Sequence, residues 1–255
     1  MEPAFSSLAS ILKLGRKNRK RLSRRDGLRI SAYFNPAYAA ILLRAGHRSG
    51  ATTEINGALT GQPENEDIIT KAKHLCWIYE QESALPYIIE PFIKANLTAQ
   101  RRCLLAVPES TWDLTVEGLE GAGGDVKKYI DGNQLIVEEP EKFFFTSGRF
   151  DIDLIINRLD QALADALAKS WRGLAVVTDA SLLLDKAEEV DWAAYEFRVN
   201  FESLTRPLVM LCLYDARRLS GSLLTAMIKT HPVVGMGKSL ALNPFYADTQ
   251  IKQLI

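Results

Sequence analysis

Residues 231–240, HPVVGMGKSL, contain Gly237-Lys238-Ser239, which is the ending of a phosphate-binding loop. Such a loop needs a glycine, four residues, then Gly-Lys-Ser/Thr, so that backbone N–H groups cradle phosphates while the lysine reaches them. Pro232 stands where the first glycine is required. The loop must also follow a strand and open a helix, whose N-terminus faces the phosphate. Here a helix-like stretch comes before, and Asn243-Pro244 cuts off any helix after it. The string therefore reads as a turn between a helix and a strand, with Gly235 and Gly237 permitting the change of direction. After the first apolar run, HLCWIYE, the residues QESALP supply neither glycine nor lysine, so no phosphate cradle is found there either.

A second chemistry is offered by carboxylates. Three apolar runs finish in acidic residues: Tyr79-Glu80 after HLCWI, Asp179 after GLAVVT, and Tyr214-Asp215 after VMLCL. In open parallel sheets ligands bind beyond the carboxyl ends of the strands, so these residues are candidates for one shared polar site. An Asp just after a strand is also a common turn or cap residue. No Gly-x-Ser-x-Gly elbow is present. Cys212 lies inside an apolar run, as a buried inert thiol does. His231, before Pro232, suits either a helix end or an acid–base role. His47, His74 and His231 are scattered without metal-ligand spacing, which argues against a zinc centre.

The elements that would position these residues alternate. Strands are predicted over 74–79, 102–107, 133–139, 173–179, 207–215 and 239–243, and helices over 83–97, 110–123, 150–171, 190–204 and 220–230. Ser110 is placed as a cap, and Ile152, Ile156, Leu159, Leu163 and Leu167 as the buried stripe of the longest helix. Alternation of this kind predicts an α/β fold in three layers, a mostly parallel sheet with helices on both faces. Of the 255 residues 47% are hydrophobic, enough for one sizeable domain with an appendage. No run of about 18 apolar residues is found, so no membrane association is expected. The three cysteines fit buried free thiols in a reducing cytoplasm.

The net charge of zero hides an asymmetry. Residues 1–65 carry 11 Lys+Arg against 4 Asp+Glu, a net of +7, and the remainder carries −7. The excess concentrates in residues 13–29, with Arg16, Lys17, Arg19, Lys20, Arg21, Arg24 and Arg25. Such a run either contacts nucleic acid or an anionic membrane, or is a solvated arm. Residues 35–46 have the spacing of one short helix and 55–67 that of a linker, but 1–65 hold no complete helix-turn-helix. The division is therefore 1–69, a basic arm and linker with at most part of a DNA-binding region, and 70–255, the folded domain.

The series YEFRVN (195–200), LCLYD (211–215), THP (230–232) and NPFY (243–246), preceded by HLCWIYE (74–80) and PFIKANLTAQRRCLLAV (91–107), resembles the MEDS domain. This is the sensory domain of methanogens and methylotrophs, named from the repressor of dichloromethane dehalogenase. The resemblance implies a RecA/KaiC-like fold without a functional P-loop. It also implies sensing of hydrocarbon derivatives or related small molecules within a transcriptional or signalling regulator. The family's motif positions fall on Tyr195, Glu196, Asn200, Cys212, Tyr214, Asp215, His231, Pro232, Asn243, Pro244 and Tyr246.

The resulting expectation is a cytoplasmic sensor without enzymatic activity, cofactor or metal. A small organic ligand would be held by Tyr79, Glu80, Asp179, Tyr195, Glu196, Tyr214, Asp215, His231, Asn243 and Tyr246, with the ligand at the carboxyl edge of the sheet. DNA, a signalling protein or a second copy of the chain would read the state. The alternatives are a diverged ATPase-like enzyme and a protein-interaction module without a small ligand.

Overall fold

The computed structural model describes Ile69 and residues 72–246, apart from 146, 182, 183, 185, 186, 188 and 238. The basic run, the 35–46 helix and the 55–67 linker lie outside the described residues. The strands are β1 (His74–Tyr79), β2 (Arg102–Ala106), β3 (Leu135–Glu138), β4 (Leu174–Asp179), β5 (Leu208–Asp215), β6 (Val233–Met236) and β7 (Ser239–Leu242). The α-helices are α1 (Pro86–Thr98), α2 (Glu109–Gly121), α3 (Val126–Asp131), α4 (Pro140–Phe144), α5 (Ile152–Ala168), α6 (Glu189–Thr205) and α7 (Gly221–Thr230).

One seven-stranded sheet runs in the order β3-β2-β4-β5-β1-β6-β7. Every neighbouring pair is parallel except β6–β7. This is the mostly parallel, helix-flanked α/β sheet that the alternation predicts. The inner strands β1, β4 and β5 are buried along their whole length, because helices cover both faces. On one face Leu75, Trp77, Leu105, Val177 and Leu211 pack against Ile88, Ile89, Phe92 and Ile93 of α1 and Leu119 of α2. On the other, Cys76, Ile78, Val176, Met210 and Cys212 meet Phe143 and Phe144 of α4, Ile156 and Leu159 of α5, Trp192, Tyr195 and Val199 of α6, and Met227 of α7. The three cysteines are free and buried. Among the described residues no helix is long and apolar enough to cross a membrane.

Several local expectations are corrected. Pro108, not Ser110, precedes α2 as its N-cap, and no side chain caps that helix. The buried stripe of α5 is Ile155, Ile156, Leu159, Leu163 and Ala166. Ile152 is only partly buried and Leu167 is 47% exposed, and Asp151 caps the helix by accepting from the Leu154 N–H. Helices α3 and α4 were not anticipated; each is a turn or two long, too short for a periodic signal.

The stretch that opened the sequence reading is a hairpin. Val233–Met236 is a strand, and Met236 faces Ser239 across a two-residue loop. Gly237 has φ +63°, which a residue with a side chain rarely adopts. A strand on either side of the turn stands where a phosphate loop needs a strand before and a helix after. Gly235 has a different reason to be glycine. A Cβ there would lie 2.0 Å from the buried ring of Trp77 and 2.7 Å from Leu240. Gly235→Ala is therefore expected to destabilise the domain by about 1–3 kcal/mol, the usual cost of overpacking. Urea denaturation followed by tryptophan fluorescence checks this; unchanged stability would show that the Trp77 ring yields freely.

Candidate functional site

The predicted residues separate onto the two faces of the sheet. The carboxyl edge brings together the ends of β4, β5 and β1, whose registers place Tyr79 beside Asp215 and Asp179 beside Leu213. The Tyr79 hydroxyl donates to Asp179 Oδ2 at 3.0 Å and lies 3.2 Å from Ser181 Oγ. Ser181 N–H donates to Asp179 Oδ1 at 3.0 Å, and Ser181 Oγ accepts from the Asp215 N–H at 2.6 Å. Arg217 clamps the Asp215 carboxylate through Nε at 2.8 Å and Nη2 at 2.6 Å. Glu80 is exposed and stands apart from this network. Burial raises the Asp179 carboxyl above its ordinary range against the bonds from Ser181 and Tyr79. The Arg217 guanidinium lowers that of Asp215. The edge thus joins Tyr79, Asp179 and Asp215 as expected, but as a lock whose donors and acceptors are turned on one another.

The other residues lie across the sheet. Tyr214 alternates with Asp215, so it faces the opposite layer. Along α6, Trp192, Tyr195, Glu196, Val199 and Asn200 recur at helical spacing and are all buried against the sheet. They meet His74 at the start of β1, Cys212 and Tyr214 on β5, and His231 between α7 and β6. Glu196 is the hub. Its Oε1 accepts a short hydrogen bond from the Tyr214 hydroxyl. Its Oε2 lies 3.4 Å from His74 Nε2 and 3.3 Å from His231 Nε2. Cys212 Sγ is 3.4 Å from His74 Nε2, and the two imidazoles lie with centroids 3.9 Å apart, tilted by 36°. His74, Glu196, Cys212 and His231 are each at most 1% exposed.

An outer layer holds this hub. His231 Nδ1 lies 2.8 Å from the Met227 carbonyl, and His74 Nδ1 lies 3.4 Å from Asn200 Oδ1. Both partners are acceptors, so Nδ1 carries the proton in each ring and Nε2 turns inward. Asn200 Nδ2 donates to the Tyr246 hydroxyl at 3.0 Å, and Asn243 Nδ2 donates to the His231 carbonyl at 2.7 Å. Burial, then the neighbouring His231, lowers His74 to about 4. Burial and the Glu196 charge raise the Cys212 thiol well above its ordinary range. Among the described residues Glu196 Oε2, His231 Nε2 and the Tyr195 hydroxyl are buried without a hydrogen-bond partner.

An aromatic wall leads from this cluster to the surface. Trp192 Nε1 donates to the Tyr214 hydroxyl at 3.2 Å. Phe150 lies 5.2 Å from Trp192 and 5.9 Å from Tyr195, centroid to centroid. Phe150 and Phe145 also line a cavity of about 350 Å³ with Glu141, Gly148 and Arg149.

Sequence reasoning missed His74, Asn200 and Cys212 as parts of one site, and it missed the cavity. The signal was present but indirect: His74 opens β1 and His231 precedes β6, and parallel pairing of β1 with β6 makes them neighbours. The cavity residues fall between helices, where no periodicity marks them.

Two substitutions probe the two faces. The Asp179 carboxyl is raised in the fold, so its protonated form favours folding. That contribution is full below the unfolded carboxylate pKa of about 4 and is lost as pH rises through the folded value. Asp179→Asn should gain stability relative to the parent as pH rises from about 4 to 7; parallel melting-temperature curves would contradict the assignment. Tyr214→Phe strands Glu196 Oε1 and Trp192 Nε1 and should cost about 1–3 kcal/mol by urea denaturation.

Comparison with known proteins adds the following. No curated protein matches the chain. Among solved structures, the flagellar accessory protein FlaH from Methanocaldococcus jannaschii is similar at 11% identity, over 69% of this chain and 80% of that one, with a TM-score of 0.44. A KaiC-like protein from Pyrococcus horikoshii is similar at 15% identity, over 64% of this chain and 70% of that one, also with a TM-score of 0.44. The family model described as MEDS, MEthanogen/methylotroph, DcmR Sensory domain, matches residues 73–232. That span contains β1 through α7 and every residue of the inner cluster, and this chain belongs to the MEDS sensory-domain family.

Proposed function

We propose that the chain senses a small organic molecule, a hydrocarbon derivative with an apolar body and one polar end, and passes its presence to a regulatory output. The observation that carries this reading is the cavity of about 350 Å³ floored by Phe145 and Phe150. Its size suits a small ligand. Phe145 and Phe150 offer an apolar body a small aromatic surface, while polar groups, among them Glu141 and Arg149, make up most of the wall. Phe150 touches Trp192 and Tyr195, and Trp192 bonds Tyr214, which bonds Glu196. Ligand packing on Phe150 therefore biases the position of α6, the element that carries Trp192, Tyr195 and Glu196. In this reading the ligand lies away from the carboxyl edge, and the mutual pairing of Tyr79, Asp179, Ser181 and Asp215 supports that choice. The output partner in this reading is nucleic acid, bound through the basic residues of 13–29, and that binding weakens steeply with salt.

Calorimetry and thermal shift with short alcohols, haloalkanes and carboxylic acids test the reading on the full chain. At least one class should bind, and Phe150→Ala should weaken it about tenfold, the equivalent of ~1.4 kcal/mol. Tyr79→Phe at the sheet edge should leave affinity unchanged. Loss of binding in Tyr79→Phe with retention in Phe150→Ala would return the site to the carboxyl edge, and silence across the whole panel would reject the sensor reading.

A further inference from the structure

The inner cluster has the geometry of a metal centre, a property independent of the ligand reading above. His74, Glu196, Cys212 and His231 each present one ligand atom, and all four atoms lie within 4.8 Å of one another. Three of the separations are 3.3 Å (His231 Nε2 to Glu196 Oε2), 3.4 Å (His74 Nε2 to Glu196 Oε2) and 3.4 Å (Cys212 Sγ to His74 Nε2). A tetrahedron with bonds of about 2.0–2.3 Å, the lengths of zinc to nitrogen, oxygen and sulfur, has edges of about 3.3–3.8 Å. These three separations fall within that range.

The hydrogen bonds make the same point. With both Nδ1 protons directed outward, to Met227 and Asn200, each imidazole turns an Nε2 lone pair inward. Tyr214 occupies Glu196 Oε1 and leaves Oε2 facing the same centre. Lone pairs on two nitrogens and a carboxylate oxygen converge with only the Cys212 thiol to donate, and Glu196 Oε2 and His231 Nε2 are buried without a hydrogen-bond partner. A cation resolves that convergence. Outer partners that orient the ligating histidines and the carboxylate are a regular feature of metal sites. A carboxylate and a thiolate together neutralise a divalent ion, so the buried centre carries no net charge. We infer that His74 Nε2, Glu196 Oε2, Cys212 Sγ and His231 Nε2 bind one divalent transition-metal ion in a closed tetrahedral site, with zinc as the ion their chemistry fits best. The scatter of these residues along the sequence, which argued against a metal, is removed by the fold.

The experiment uses the full chain purified without an affinity tag. Elemental analysis should find about one zinc per chain, and a chelator should lower the melting temperature. Exchange into cobalt(II) should give tetrahedral visible bands and a near-ultraviolet thiolate-to-cobalt charge-transfer band. Cys212→Ser should abolish the charge-transfer band, whereas Cys103→Ser, on the other face of the sheet, should retain it. X-ray absorption at the zinc edge of the unaltered chain needs no variant and should read one sulfur with nitrogen and oxygen ligands. A chain that neither co-purifies with metal nor takes up cobalt overturns the inference, as does a charge-transfer band that survives Cys212→Ser.

Discussion

Everything on one face of this sheet is arranged around a single buried carboxylate. Glu196 is 1% exposed. An ionised group taken out of water costs several kcal/mol unless its surroundings replace the solvent. Here its surroundings come from four elements, and the direct hydrogen bond to the carboxylate comes from Tyr214. β5 supplies the Tyr214 hydroxyl, β1 and the α7–β6 junction supply the histidines, and Asn200 one helical turn along orients His74. The C-terminal hairpin and its tail close the outside through Asn243 and Tyr246. Because each partner comes from a different element, the position of Glu196 fixes α6 against β5, β1 and β6 together.

The two faces solve different problems. The face under α1 and α2 is an apolar core, with Trp77 pressed flat against a glycine of the hairpin. The face under α6 and α7 mixes apolar packing with the polar hub. At the carboxyl edge, where ligands of parallel sheets are generally found, Tyr79, Asp179, Ser181 and Asp215 pair among themselves. That pairing ties the ends of β1, β4 and β5 together.

Much of this was legible in the residues. Long apolar runs named the inner strands correctly, since a strand buried on both faces leaves no alternative to continuous hydrophobicity. The motif positions Tyr195, Glu196, Asn200, Cys212, Tyr214, His231, Asn243 and Tyr246 do converge, while Asp215 points to the other side of the sheet. What the sequence hid was which strands are neighbours. The chemistry of His74 depends on β1 lying between β5 and β6, and no local pattern encodes that order. Short elements were also missed. β6 has four residues between Pro232 and Gly237, and its Gly235 looks like a turn residue when its role is to admit a ring. The stripe of α5 takes in Ile155 and Ala166, not Ile152 and Leu167, because spacings of three and four residues fit more than one set of positions on the same helix.

The sheet order also has a temporal side. β1 is the first described strand to be synthesised, yet its two partners are β5 and β6, more than 130 residues downstream in the chain. Contacts of such sequence separation form late and slowly, because a large loop must close before they repay its entropy. A nascent chain halted anywhere before Val233 holds His74 beside no partner strand on that side. The polar hub is therefore a late product of synthesis: the residues that define it are gathered only once β5, α7 and β6 have followed β1, so its assembly reports that the chain from β1 to β6 has been made.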